Sequence, residues 1–303
     1  MILEQRQTLP LDSKVILTQR RIKEWYDHFN GDVYVSFSGG KDSTVLLDLV
    51  RTAPGVWDVP AVFCDTGLEY PEVREFAASK ADIVLRPSMT FKAVIEKYGY
   101  PVVSKEQALY IRQYRHSRSE KLRSLRWNGF PPNGNFAISK KWRFLTEAPF
   151  EVSEQCCDVM KKAPFKRFEK ETGMVPYIGT MAVESSLRRQ EYERNGCNAF
   201  DSKRPKSTPM GFWTEQDVLH YIVQRDLEYA SVYGEIQEAD LFGDTLALTG
   251  CNRTGCMFCC FGVDQESHPN RFQRMKLTHP KQYDYCMGKL GLGEVLDYIG
   301  IAR

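Results

Sequence analysis

Nowhere in the chain do some 18 apolar residues follow one another, so no membrane-spanning helix is expected and no membrane partner with it. Charge of one sign is equally scarce in excess. The 41 Lys and Arg stand against 39 Asp and Glu, a net +2, so bulk charge demands no polyanionic partner and any basic surface has to be local. The opening residues MILEQRQTLPLDSK have no apolar core and no small-residue cleavage pattern. No signal peptide is expected, and the expected location is cytoplasmic. Internal repeats and low-complexity tracts are absent too. The nine cysteines are an odd number in a 303-residue chain too long to need stapling. In a reducing compartment they read as ligands or buried thiols rather than disulfides.

What is present is a rhythm of short apolar runs and amphipathic stretches. Residues 12–29 carry apolar positions at helical spacing. A strand at 32–37, a helix at 41–51, a strand at 59–65, a helix at 71–81 opening on Pro71, a strand at 82–86 and a helix at 90–99 follow. After residue 150 comes a helical stretch ended by Gly173 with a break expected at Pro164, then a strand running from 175 into a loop, then a capped helix at 214–226. This alternation predicts an α/β fold with a doubly wound parallel sheet. The expected organisation is an N-terminal helix (1–30), a nucleotide-binding α/β domain (31–230) and a cysteine-rich C-terminal region (231–303) packed on the same domain. Residues 101–150 interrupt the rhythm as a basic helical insert. Arg112, Arg115, Arg118 and Lys121 recur every three residues, with Arg123, Arg126, Lys140, Lys141 and Arg143 beyond and Tyr110, Tyr114, Trp127 and Trp142 interleaved. The last sixty residues read as the cysteine cluster, polar loops and a short helix near 283–290.

The stretch VSFSGGKDST (35–44) places glycines, a lysine and hydroxyls between a strand and a helix. Glycines let backbone N–H groups turn toward a phosphate, the helix N-terminus adds partial positive charge, and Lys41 is a mobile point charge. Ser36, Ser38, Ser43 and Thr44 offer hydroxyls. The Walker spacing is absent because Gly39, Gly40 and Lys41 are contiguous. The motif instead resembles the PP-loop of the ATP pyrophosphatase superfamily, which implies an adenine nucleotide alpha hydrolase-like fold and cleavage of ATP between its α and β phosphates; the alternative is an incidental glycine turn.

Three further stretches resemble the phosphoadenylyl-sulfate (PAPS) reductase branch of that superfamily. They are CDTGLEYPEV (64–73), GTMAVESSLRRQ (179–190) and TPMGFWTEQDVLHYI (208–222). On that resemblance Lys41, Asp42, Ser43 and Arg188 are the expected catalytic residues. Ser36, Ser38, Gly39, Gly40, Asp65 and Glu184, with the loop itself, are the expected nucleotide contacts. Read alone, Asp65 is a turn residue and Arg188 a surface charge.

CCDVMKKAPF (156–165) and the downstream GCMFC (255–259) resemble the cysteine segments of the iron–sulfur members. This implies Cys156, Cys157, Cys256 and Cys259 as ligands of a 4Fe–4S cluster. Thiolates select iron–sulfur clusters or zinc, so zinc remains the competing metal. Cys251 is an alternative ligand, and unliganded buried thiols are the remaining reading.

Sulfonucleotide reductases carry a degraded glycine loop and a Glu-Cys-Gly-Leu-His tail. Here Ser-Gly-Gly-Lys-Asp-Ser is intact, the tail reads LGLGEVLDYIGIAR, and Cys286 lacks the reductase's neighbours. The combination is most similar to the iron–sulfur ATPases of DNA phosphorothioation and to transfer-RNA thiolases. The expected function is therefore ATP–Mg2+ cleavage to AMP and pyrophosphate, activating an acceptor for sulfur incorporation. A nucleic-acid acceptor is expected at 105–143, where the alternative is a solvated basic helix, and a cysteine desulfurase or other sulfur donor is expected as partner. The alternatives are a reductase releasing sulfite from adenylyl sulfate, and a cluster-bearing nucleotide-binding regulatory subunit.

Overall fold

The computed structural model describes residues 2–240 and 245–303. The strands in chain order are β1 (Val33–Phe37), β2 (Ala61–Cys64), β3 (Ile83–Leu85), β4 (Val102–Val103), β5 (Val175–Ile178), β6 (Asn198–Ala199), β7 (Lys206–Ser207), β8 (Ile236–Glu238), β9 (Leu246–Leu248) and β10 (Cys260–Phe261). The helices up to the middle of the chain are α1 (Leu3–Gln7), α2 (Leu11–His28), α3 (Lys41–Arg51), α4 (Pro71–Lys80), α5 (Phe91–Tyr98), α6 (Lys105–His116) and α7 (Glu120–Asn128). The rest are α8 (Ala163–Thr172), α9 (Ser186–Asn195), α10 (Glu215–Arg225), α11 (Arg271–Thr278), α12 (Pro280–Asp284) and α13 (Leu292–Tyr298). They belong to two compact units. The first comprises Met1–Asp65, Glu69–Arg86 and Phe165–Thr254; the second comprises Thr66–Leu68, Pro87–Pro164 and Gly255–Arg303.

The first unit is built on a six-stranded sheet in the order β3-β2-β1-β5-β7-β6. Its pairs are parallel, except that the edge strand β6 runs antiparallel to β7. Short apolar runs suit this position because the inner strands are covered on both faces. Val33, Tyr34, Val35 and Phe37 of β1 and all of β2 are buried accordingly. β1 lies between β2 and β5, with Ser36 level with Val62 on one side and Ile178 on the other. Strand order reverses at β1/β5, and in open parallel sheets the crevice beyond that point is where ligands bind.

Helix α2 turns Lys14, Thr18, Ile22 and Trp25 to one buried face, the spacing of an amphipathic helix. Lys14 is only 2% exposed, so its ammonium needs partners. Its Nζ donates to Gln7 O and to both carboxylate oxygens of Asp217, each at 2.7 Å. Asp217 also accepts the Thr214 N–H at 2.7 Å and the Thr214 hydroxyl at 2.8 Å. One carboxylate thus caps α10 and fastens it to α2.

The second unit holds α5, α6, α7, α11, α12 and α13 and the parallel pair β4–β10, in which Cys260 faces Val102. Two local expectations change. Pro164 does not end the helix: helical backbone runs on from Cys156 to Thr172, with a π-helical turn at Asp158–Lys162 directly before the proline, where the widened turn takes up a residue that has no N–H to donate. The residues expected as polar loops beyond the cysteines include α11. Asn270 Oδ1 accepts the N–H groups of Phe272 and Gln273 at 3.0 and 3.1 Å, and Gln273 Oε1 accepts the Asn270 N–H at 2.9 Å. Polar composition hid a capping box.

Removing the Lys14 ammonium leaves a largely buried carboxylate unpaired. Lys14→Met is expected to lower unfolding free energy by about 3 kcal/mol. The measurement is the urea midpoint followed by the fluorescence of buried Trp25 and Trp213. A shift worth under about 1 kcal/mol would place the pair among weak surface bridges instead.

Candidate active site and thiol cavity

The glycine loop leaves β1 at the strand-order reversal and runs into α3. Gly39 has φ +73°, and a Cβ there would lie 2.7 Å from both Ala77 Cβ and Val73 O, so only glycine passes beneath α4. The loop is held from within. Ser43 Oγ donates to Gly40 O at 2.9 Å and accepts the Ser38 N–H at 3.2 Å; the Ser38 and Ser43 hydroxyls are 3.0 Å apart. The loop after β5 closes the other side: a Cβ on Gly179 would stand 3.1 Å from Asp42 O. The first amide to join the helix ladder is that of Thr44, onto Gly40 O at 3.0 Å. The amides of Asp42 and Ser43, the two residues before it, have no partner among the described residues. They are the donors a helix N-terminus offers an anion.

Lys41 is 3% exposed. Its Nζ is 3.3 Å from Asp42 Oδ1 and 3.2 Å from Glu215 Oε1. Burial alone would lower its pKa, but the carboxylates of Asp42 and Glu215, with Tyr233, outweigh burial and raise it. The Lys41 N–H donates to Tyr233 Oη at 3.2 Å, and that hydroxyl is 2.7 Å from Thr254 Oγ1. Glu215, Tyr233 and Thr254 were invisible to motif reading, since they come from segments some two hundred residues downstream. Glu215 opens α10, whose capping box was readable, but nothing in the spacing marks it as the lysine's neighbour.

The other expected residues have partners of their own. Ser36 is half-buried on β1. Asp65, just past β2, accepts from Arg74 Nε and Nη2 at 2.7 Å each, a bidentate pair that raises the Arg74 pKa. Arg188 pairs with Glu184, whose Oε1 also accepts the Met181 N–H at 3.1 Å. Burial, then the nearby Arg253, lowers the Arg188 pKa, while Asp42 acts in the opposite direction. Asp42, Arg188 and Arg253 therefore share one neighbourhood.

In the second unit Cys156, Cys157, Cys256 and Cys259 line one cavity with Leu68, Phe91, Pro101, Met160 and Lys161. Cys156 Sγ lies 3.9 Å from Cys157 Sγ. The hydrogen bond from Cys156, helped by the ammonium groups of Lys105 and Lys161 and opposed by burial, brings Cys157 down to about 6. The same bond, then burial, pushes Cys156 up, and burial raises Cys259. Among the described residues no three His, Cys, Asp or Glu side chains stand at metal-holding distances. Cys251 does not line this cavity; it belongs to the first unit, and its Sγ donates to Arg253 O at 3.2 Å. Cys64, Cys197, Cys260 and Cys286 are buried thiols.

The basic insert is not one striped helix. α6 ends at His116, so Arg118 falls in the turn and Lys121 on α7. Most of its cations are spent inside the unit. Arg112 forks onto Glu154 at 2.6 and 3.0 Å, and Arg115 reaches Phe150 O and Glu151. Arg126 sits 4.0 Å over the Tyr110 ring and Arg143 4.4 Å over Trp127, which itself stacks on Tyr114 at 5.2 Å. Arg118, Lys121 and Lys140 are exposed and have no partner among the described residues. No described helix is long and apolar enough to cross a membrane.

The chain is similar to several known proteins. An uncharacterized protein of Methanocaldococcus jannaschii is 24% identical over 241 residues, covering 78% of this chain but 38% of that longer protein. The adenosine 5'-phosphosulfate reductase of Anoxybacillus flavithermus is 25% identical over 227 residues, 75% of this chain and 78% of the reductase. Among solved structures, the phosphoadenylyl-sulfate reductase of Candida auris aligns with a TM-score of 0.40 at 16% identity, covering 71% of this chain and 82% of that one. The family model of the phosphoadenosine phosphosulfate reductase domain matches residues 32–127 and 133–261, segments that include the glycine loop, Asp65, Glu184, Arg188 and all four cavity cysteines. The protein belongs to the phosphoadenosine phosphosulfate reductase domain family.

Proposed function

We propose that the chain is an ATP pyrophosphatase of this family, cleaving ATP to AMP and pyrophosphate to activate an acceptor for sulfur incorporation. The observation that carries this reading is the complete Ser-Gly-Gly-Lys-Asp-Ser loop, with Lys41 buried at its base and the Asp42 and Ser43 amides at the mouth of α3. A triphosphate offers this loop a leaving group to hold. An acceptor oxygen attacks the α-phosphorus, the bond to the β-bridging oxygen breaks, and pyrophosphate leaves with its charge. Lys41, released from Asp42 and Glu215 to the incoming anion, and the α3 amides stabilise that charge. Ser38 and Ser43 keep the loop in shape, and Asp42 and Ser43 border the place for the magnesium ion that accompanies ATP. Arg188 suits an anionic oxygen bidentately.

The four cavity thiols fit a soft metal group by their chemistry, Cys156, Cys157, Cys256 and Cys259 being its holders. A 4Fe–4S cluster bound there would supply electron-transfer or sulfur-handling chemistry, and zinc would supply structure alone. The exposed Arg118, Lys121 and Lys140 support a nucleic-acid acceptor, with a cysteine desulfurase or a like protein delivering the sulfur.

A second reading, sulfite release from adenylyl sulfate, is favoured by the reductase names of the relatives. That reaction needs a thiolate nucleophile. Cys286, the cysteine nearest the C-terminus, is fully buried, and burial pushes its thiol up to about 12, which disfavours it in that role.

Product analysis on anaerobically purified protein separates the two. ATP–magnesium is expected to give AMP and pyrophosphate, with Lys41→Ala reducing the rate by about 10^2–10^3-fold. Sulfite from adenylyl sulfate plus a thiol reductant, with ATP untouched, would transfer the assignment to the reductase. Metal analysis addresses the cavity. Equal amounts of iron and acid-labile sulfide, both lost in Cys256→Ser/Cys259→Ser, are expected; zinc without sulfide would make the cavity a zinc site.

A further inference from the structure

The Tyr233 hydroxyl is an unusual occupant of a phosphate loop. It takes the Lys41 N–H at 3.2 Å, so that amide is withdrawn from ligand binding. Tyr233 does not swing freely. Its side chain is 2% exposed and packs with Val73 and Ala230. Its backbone is tied to the segment that carries Thr254: Gly250 N–H donates to Tyr233 O and Cys251 N–H to Val232 O, both at 2.9 Å. The two segments touch so closely that a Cβ on Gly250 would lie 2.5 Å from Val232 O.

Proton accounting gives this contact a direction. The phenol oxygen accepts from Lys41 N–H, and among the described residues the one acceptor within reach of its own proton is Thr254 Oγ1, at 2.7 Å. When Tyr233 donates there, the Thr254 hydroxyl is filled as an acceptor and its proton is left to donate elsewhere. Gly40 leaves room for this. A Cβ on Gly40 would meet Tyr233 Oη at 3.1 Å, Ser38 Oγ at 3.4 Å and Thr254 Oγ1 at 3.6 Å, so three hydroxyls from three segments surround one glycine at the start of α3. The residue before Thr254 is the exposed Arg253, in the neighbourhood of Arg188 and Asp42.

We propose that Thr254 and Arg253 bind the anionic group that lies beyond the α-phosphate of the adenylyl nucleotide, with Tyr233 as the residue that positions them. The inference rests on reading the glycine loop as an adenylyl-nucleotide site, and it assigns specificity within that site. A terminal phosphate or sulfate oxygen accepts from the Thr254 hydroxyl and the Arg253 guanidinium. AMP, which has no such group, ignores both.

Isothermal titration of the full chain with ATP–magnesium, adenylyl sulfate and AMP tests it. Arg253→Ala and Thr254→Val are expected to weaken the longer nucleotide by about tenfold or more while AMP binds as to wild type. Tyr233→Phe keeps the packing and should reproduce the Thr254→Val loss. The two losses should be non-additive in the double variant, as for members of one hydrogen-bonded chain. Thr254→Ser, which keeps the hydroxyl, should bind as wild type. Equal loss for AMP and the longer nucleotide, or no loss in Arg253→Ala and Thr254→Val, would overturn the proposal, as would a wild type that binds neither longer nucleotide better than AMP. Binding of adenylyl sulfate but not ATP would instead remove the pyrophosphatase reading while leaving the specificity pattern to be read on adenylyl sulfate.

Discussion

A buried ammonium that needs anionic partners is the constraint around which the first unit is arranged. Lys41 sits at the base of the glycine loop almost without solvent, and such a charge is costly unless it is paired. Asp42 supplies one partner from the same turn. Glu215 supplies the other from α10, which is why α10 has to be held in place. The Lys14–Asp217 pair and the Thr214 cap do that holding from the far side of the helix. The glycine loop, the α10 cap and the N-terminal helix α2 are in this sense one electrostatic assembly. The two carboxylates beside Lys41 balance its charge within the site.

Strand order decides where this assembly can work. The loop after β1 and the loop after β5 leave neighbouring parallel strands at the same edge, on either side of the reversal in the sheet. Gly39 and Gly179 are the places where backbone has to approach backbone, and neither tolerates a side chain without displacement. The thiol cavity answers to a different rule. It gathers cysteines from two distant segments of the second unit into apolar surroundings, where burial raises Cys259, and the hydrogen bond from Cys156 with the nearby lysines favours the anion on Cys157.

Much of this was readable from residues alone. β1, α3, β2, α4 and α10 announce themselves by apolar period and caps, and the loop and the Cys-Cys and Cys-x-x-Cys segments by local spacing. Cys156, Cys157, Cys256 and Cys259, the ligand set the resemblance implied, line one cavity, and Cys251 lies outside it. What could not be read was long-range. Glu215, Tyr233 and Thr254 reach the loop through tertiary packing, which leaves no periodic trace. Pro164 was misread because the π-helical turn that accommodates it leaves no mark in the local spacing. α11 was missed because its exposed face made the segment look like loop.

The arginine–aromatic stacking of the insert also has a consequence in the language of counterions. A guanidinium already lodged over Tyr110 or Trp127, or forked onto Glu154, has no phosphate to neutralise and so sheds few condensed ions from a polynucleotide. Arg118, Lys121 and Lys140 remain, and three such contacts on a single strand correspond to a log–log salt slope of only about −2. On the proposed reading, a polynucleotide acceptor on this surface would be gripped lightly and released readily as salt rises.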